Sequence, residues 1–272
     1  MIGERIVWAI ETARDGLARG LIKLGATPNA LTVFGLVMTL AAGGCLALGA
    51  GAALGWRLDP RPIDSYAPNA FCLLAGFVLL LCAAGDMLDG AVARLGGKGT
   101  TFGAFLDSTL DRFSDFAIYL GIAFYFALRG NLTYTLLPFV AVFAGQMISY
   151  TRARAEDLIE SCTVGYWQRG ERFVAVLIAV FAHNVPAMLW QQAVLPMLTV
   201  WARIRHTRLV TAGKAAPADP RQSGRAIDRL RLWRHPRKTI GYEIVTAINI
   251  LFLVLARIPA EADPIGKLLG LR

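Results

Sequence analysis

Uncharged apolar runs alternate with short polar segments along most of the chain. Leu31 to Leu54 carries no charge, and at about 1.5 Å per residue it reaches roughly 36 Å, enough to cross a bilayer. Ala67 to Gly85 is a second such run. A third, Phe102 to Leu128, holds Asp107, Asp111, Arg112 and Asp115 in its first half, and Thr133 to Tyr150 is a fourth. Phe173 to Trp201 is too long for one crossing and is broken by His183-Asn184-Val185-Pro186, which predicts a fifth crossing before the break and a sixth after it. Thr239 to Ala256 is apolar but contains Glu243, and reads only weakly as a span. Ahead of the first run, Ile6, Ile10, Ala13, Leu17, Leu21 and Leu24 recur every three or four residues, with Glu4, Glu11, Asp15 and Lys23 elsewhere around the helix. This stripe predicts an amphipathic helix lying in the membrane interface. A helix packed on the bundle with one face in solvent is the alternative.

Composition supports the membrane reading. The 272 residues are 56% hydrophobic and only 17% charged, against about 25% charged in soluble domains. A water-soluble globule and a disordered chain are therefore excluded. The formal net charge of +9 would point to nucleic acid in a soluble protein. Here the cations mark the cytoplasmic side of a multi-pass membrane protein, and no nucleic-acid partner is expected. Arg5, Arg14, Arg19 and Lys23 precede the first run; Arg94 and Lys98 lie in the second loop; Arg152, Arg154, Arg169 and Arg172 lie in the fourth; eleven more lie in 203–238. The opposite loops hold Arg57, Arg61 and Arg129. The expectation is an all-α integral membrane protein: a six-span bundle over 27–205, an interfacial helix over 1–26, and a basic extension over 206–272 with an apolar C-terminal segment. That extension reads either as a lipid-binding tail or as an extra span. Cys45, Cys72, Cys82 and Cys162 lack C-x-x-C spacing and read as small hydrophobes. No cleavable signal peptide is expected, since acids and bases mix through the first 24 residues.

The chemistry lies in two acidic pairs. Asp86 and Asp89 are three apart and Asp107 and Asp111 four apart, so each pair shares a helix face. Both pairs fall at the cytoplasmic edge of adjacent antiparallel crossings, where a hairpin can gather four carboxylates. Clustered anions in a membrane require a cation. Arg94 or Arg112 could pair with some of them; two divalent ions could satisfy all four, and oxygen-only ligands suit Mg²⁺ or Mn²⁺. Magnesium keeps substrate phosphates as further ligands, so a phosphate-bearing substrate at the membrane surface is expected. Gly90 and Gly103 lie one turn from Asp86 and Asp107, where a side chain would stand over the site; packing through small residues is the alternative.

The pattern Asp86-x-x-Asp89-Gly90-x-x-Ala93-Arg94, then eight residues, then Gly103-x-x-x-Asp107-x-x-x-Asp111 resembles the signature of the CDP-alcohol phosphatidyltransferases at each fixed position. The resemblance covers roughly residues 1–205. It implies transfer of a phosphatidyl group from a CDP-linked lipid such as CDP-diacylglycerol to an alcohol, with release of CMP. It implies that Asp86, Asp89, Asp107 and Asp111 hold two Mg²⁺ ions, with Mn²⁺ as a substitute, and that Asp111 is the general base. It further implies that Gly90, Arg94, Thr100 and Gly103 adjoin the CDP moiety. Thr27-Pro28-Asn29-Ala30-Leu31-Thr32 resembles the family's opening motif, which implies that Asn29, Ala30, Leu31 and Thr32 help hold the nucleotide; a helix N-cap is the other role open to Asn29. A homodimer is the assembly the resemblance allows.

Phe105 to Asp115, Ser149 to Glu156 and Gln168 to Arg172 resemble the phosphatidylinositol-phosphate synthases within that family. Independently, Arg152, Arg154 and Arg172 sit where crossings four and five meet the cytoplasm and could grip an acceptor phosphate by forked hydrogen bonds. Positive-inside anchoring, or pairing with Glu156 and Glu171, would also account for them. Asp115 continues the Asp107/Asp111 face, as a partner for an acceptor hydroxyl or for a base. The preferred acceptor is a phosphorylated polyol, inositol phosphate, with glycerol 3-phosphate second. An intramembrane prenyltransferase, a cation transporter and a membrane scaffold are the competing classes. The first leaves Gly90-x-x-Ala93-Arg94 unexplained; the second lacks acids continuing across the membrane; the third leaves a complete set of carboxylates without a purpose.

Overall fold

A computed structural model describes residues 2–48, 70–213, 239–256, 258 and 263–271, with side chains from residue 11 onward. The described residues form helices joined by turns: α1 (Ile2–Lys23), α2 (Pro28–Leu48), α3 (Ala70–Leu95), α4 (Thr101–Leu128), α5 (Leu132–Glu156), α6 (Arg169–Phe181), α7 (Val185–Thr211), α8 (Ile240–Leu255) and α9 (Pro264–Leu268). Three of them, α2, α3 and α5, are long and apolar enough to cross a bilayer by length and composition. α4 is longer but carries the acids in its first half, α6 has 13 residues, and α7 contains Pro196. Apolar side chains crowd the outer faces, including Phe34, Phe77, Phe113, Phe124, Phe139 and Phe143. A surface of this kind is stable against lipid and not against water.

The core is formed chiefly by α2 to α7, with Leu46, Leu79, Ile122, Tyr125, Phe126, Tyr134, Met188 and Leu189 closed off from the surface. A close backbone crossing joins α2 to α4. A Cβ on Gly121 would lie 2.1 Å from the Gly43 carbonyl oxygen, and one on Gly43 would lie 2.5 Å from that of Ala117. Only glycine permits that backbone approach. It sets the separation of two helices whose other ends carry the site.

Helix ends are fixed by side chains. Thr27 accepts from Ala30 N, Thr100 from Gly103 N at 2.9 Å, and Asn131 from Tyr134 N at 3.0 Å. Thr27 thus caps α2, a role left open above for Asn29. Gly97, at φ +60°, turns the chain between α3 and α4. α1 packs on α3 through buried Ala18, with Leu21 and Ile22 against Ala91 and Val92. Two members of its stripe, Leu17 and Leu24, point outward at 62% and 84% exposure. The helix therefore presents apolar surface to its surroundings as well as to the bundle. α7 continues to Thr211, past the expected boundary at 205; residues 214–238 of the basic stretch, and 49–54 and 67–69 of the first two runs, lie outside the described residues.

Candidate active site

The last turns of α3 and the first turns of α4 meet the start of α2 and the start of α6. Asp89 accepts from Thr32 Oγ1 at 3.2 Å, tying α3 to α2. Asp86 and Asp107 both lie close enough to repel Asp89. The cation that answers this charge is Arg169, in the first turn of α6. Its Nη1 donates to Asp86 at 2.9 Å, and its Nη2 lies 2.6 Å from Asp111. Asp111 is the more enclosed partner, its side chain 13% exposed against 40% for Asp86. Thr32, Gly35, Ser114 and Asp115 help line the space beside them, which holds about 10 Å³ of free room, enough for about one water.

The donor set is chemically suited to a hard divalent cation, since it offers carboxylate oxygens and a hydroxyl. A guanidinium already sits between Asp86 and Asp111, so positive charge is accommodated there. Among the described residues no three acids converge on one point. The cluster is closed on Arg169, and metal entry requires that side chain to move.

One turn further along α6, Arg172 is buried and its Nη2 donates to Asp115 at 3.0 Å. A Cβ on Gly145 would lie 3.1 Å from Arg172 Nε, so the glycine on α5 gives the guanidinium its room without a shift. Arg172 Nη1 and Arg169 Nε are both buried without a hydrogen-bond partner among the described residues. Buried donors in that state are uncommon and suit an anion. Arg152 and Arg154 are placed differently. Arg152 pairs with Glu156 at 3.0 Å and Arg154 with Asp157 at 2.9 Å, both near the surface. Of the three candidate acceptor arginines, the structure brings only Arg172 against the acid-bearing helix.

On the other flank a Cβ on Gly103 would meet Asn29 Oδ1 at 3.1 Å and Thr100 Oγ1 at 3.0 Å. The openings of α2 and α4 therefore share a niche with a bare backbone at its floor. Arg94 reaches back over Gly90, its Nη1 3.5 Å from where a Cβ would stand. Ala30 bonds through its amide to Thr27, and Leu31 packs on the Ala18–Val92 cluster. Those two hold the start of α2 in place and present no polar side chain.

Against known families, residues 26–205 match the model of the CDP-alcohol phosphatidyltransferases. The chain belongs to this family. This phosphatidyltransferase is 36% identical over 192 residues to the archaetidylinositol phosphate synthase of Pyrococcus horikoshii, covering 70% of this chain and 88% of the relative. It is 35% identical over 208 residues to the phosphatidylinositol phosphate synthase of Mycobacterium marinum, covering 76% and 79%. Among solved structures it is similar to the Mycobacterium tuberculosis phosphatidylinositol phosphate synthase with CDP-DAG bound. There the TM-score is 0.58 at 28% identity, with 71% of this chain and 92% of that one covered. The same enzyme in complex with manganese and citrate superposes with a TM-score of 0.57 at 28% identity, covering 72% and 88%. The phosphatidyltransferase fold thus accounts for the all-α membrane architecture.

In the sequence Arg169 stands out only as a cytoplasmic cation and as a member of the Gln168–Arg172 stretch, with no role of its own at the carboxylates. Its spacing carried a usable signal, since it stands three residues before Arg172 and so shares its helix face.

Proposed function

We propose that this phosphatidyltransferase transfers the phosphatidyl group of CDP-diacylglycerol to inositol phosphate and releases CMP, at a site facing the cytoplasm. The observation that carries the acceptor is the buried pair of guanidinium donors, Arg172 Nη1 and Arg169 Nε, left without partners beside the carboxylates. A phosphate on the acceptor answers both with charge-assisted bonds, whereas a neutral alcohol offers only weaker, uncharged acceptors. The named relatives, an archaetidylinositol phosphate synthase and a phosphatidylinositol phosphate synthase, support the same reading. The domain spans residues 27–205, with α2 to α7 as six crossings, α1 at the interface, and the Lys/Arg excess marking the cytoplasmic face.

The residues divide the work. Asn29, Thr32, Gly90, Arg94, Thr100 and Gly103 form the nucleotide side, where backbone and small side chains admit the cytidine diphosphate closely. Asp86, Asp89, Asp107 and Asp111 would hold two divalent ions, magnesium or manganese, whose charge would offset that of the diphosphate and of the departing CMP. Arg172, positioned by Asp115, orients the acceptor phosphate. Arg169 leaves the carboxylates and turns toward that same phosphate, and Arg152 and Arg154 supply positive potential at the mouth. Asp111 removes the proton from the acceptor hydroxyl as its oxygen attacks the lipid-side phosphorus. The phosphorus–oxygen bond to CMP breaks, and its electrons leave with CMP.

The test is CMP release by purified protein in detergent with CDP-diacylglycerol and Mg²⁺. Inositol phosphate, glycerol 3-phosphate, inositol and serine are compared side by side. Release with inositol phosphate alone is the expected outcome. Release with glycerol 3-phosphate alone would keep the reaction and overturn the acceptor. Release that is independent of metal would overturn the role of the four aspartates.

A further inference from the structure

The described residues of 239–271 lie beyond the stretch that matches the family, yet hydrogen bonds tie them to the bundle near both ends. At the site end, Tyr242 OH donates to Glu171 Oε1 at 2.8 Å. Glu171 stands between Arg169 and Arg172 in the chain. Further along, Thr246 and Tyr166 share a hydroxyl contact of 3.0 Å, and Gln191 Nε2 donates to Asn249 Oδ1 at 2.9 Å. At the far end, Asn184 Nδ2 donates to the carbonyls of Leu253 and Ala256, both at 2.7 Å. α6 starts beside the carboxylates and ends at the turn holding Asn184, so α8 runs alongside it in the same direction. With 16 residues against 13, α8 is the longer of the two. It covers about 24 Å against about 20 Å.

The chain end is then anchored on that same far side. Asp263 accepts from Leu132 N at 3.1 Å, Thr133 N at 2.9 Å and Thr133 Oγ1 at 2.6 Å, which caps the start of α5. These bonds hold its carboxyl well below the usual carboxylate range, the Thr133 hydroxyl foremost. The polarity of α8 is inverted relative to a helix in water. Tyr242, Thr246 and Asn249 face the protein, while Ile244, Ile248, Leu251 and Leu255 are exposed. Such a helix is suited to lipid on its outer side. The charge count agrees: residues 203–238 hold eleven Lys and Arg, and after α8 only Arg257, Lys267 and Arg272 follow.

We infer that α8 makes a seventh crossing, docked along α6, which carries Asp263 and the residues after it to the face opposite the carboxylates. This rests on the reading of α4 and α6 as crossings, and the experiment separates the two. In full-length protein whose four native cysteines are replaced, Lys98→Cys, Arg129→Cys and Leu271→Cys are made singly. Each is treated with a membrane-impermeant maleimide in sealed right-side-out vesicles, before and after detergent. The expected result is that Leu271→Cys labels in intact vesicles to the same extent as Arg129→Cys, while Lys98→Cys labels only after detergent. Leu271→Cys labelling together with Lys98→Cys would overturn the seventh crossing and leave the bundle intact. Lys98→Cys and Arg129→Cys labelling from one side would instead overturn the crossing of α4 itself. Should the cysteine-free protein fail to fold, alkaline phosphatase fused after Arg272 of the native chain gives the same answer. High phosphatase activity places the end outside, and its absence, with the fusion produced in full, places it inside.

Discussion

Replacing Arg169 by alanine should tighten binding of a divalent ion in the absence of substrate. In the closed cluster the guanidinium is bonded to Asp86 at 2.9 Å and to Asp111 at 2.6 Å, and metal entry breaks both contacts. The Asp86 contact is two-fifths exposed on the carboxylate side and contributes at most about 1 kcal/mol after solvent screening. The Asp111 contact is more enclosed and, as a charge-assisted bond, contributes about 1.5 to 2 kcal/mol. A metal ion entering the alanine variant is spared about 1.5 to 3 kcal/mol, which makes its Kd roughly tenfold to a hundred-and-fortyfold lower. Calorimetric titration of Mn²⁺ into detergent-solubilised protein, with no nucleotide or acceptor present, measures this directly. Arg169→Lys, which keeps the charge but loses the fork, should fall between the two. An alanine variant binding Mn²⁺ no more tightly than the native protein would refute the idea that Arg169 competes with metal for the aspartates. Looser binding would refute it more strongly, by making the arginine a support for the metal.

Arg172→Ala should raise the acceptor KM far more than the CDP-lipid KM in the CMP assay; the reverse pattern would remove the acceptor pocket from α6. Asp111→Asn should abolish turnover while leaving CDP-diacylglycerol binding detectable, and near-normal turnover would sink its role as base. Gly121→Ala forces a methyl into a gap of 2.1 Å, so α2 and α4 must part by about 1 Å. A loss of about 1 to 3 kcal/mol should appear as a lower thermal unfolding midpoint, and an unchanged midpoint would contradict the crossing. Burial lowers the pKa of His183, in the turn between α6 and α7. The folded state therefore binds fewer protons than the unfolded state. Stability should be level above about pH 6.5 to 7 and decline as pH falls below the unfolded value, near 6.5. His183→Asn, which tolerates the positive φ there, should flatten that decline in midpoints measured across pH.

Much of the site was legible because its signature is local. Asp86, Asp89, Asp107 and Asp111 lie within one helical hairpin, and helix periodicity alone places each pair on one face. The partners of those acids come from far along the chain, and periodicity names no partner across helices. Arg169 is 83 residues from Asp86, and its side chain looks like any positive-inside cation until α6 is seen to begin at the cluster. Arg152 and Arg154 carried the same signal and turned instead to Glu156 and Asp157, acids within one turn of them. The Gly43–Gly121 approach was equally hidden, since two glycines 78 residues apart share no pattern before the helices cross. The apolar run at Thr239 to Ala256 read weakly because of Glu243 and its polar inner face. Those polar groups find partners on Glu171, Tyr166 and Gln191, which only the folded bundle supplies.

The glycine contact between α2 and α4 also acts as a fulcrum. Gly121 stands ten residues from Asp111, a lever arm of about 15 Å along the helix. A scissoring of the two helices by only about 4° about that contact would shift the opposing walls by roughly 1 Å at the carboxylates. Because the pivot is backbone against backbone, it has no side chain to compress, and rotation is easier than separation. A tilt of this kind would widen the space beside the aspartates by angle while the bundle keeps its thickness.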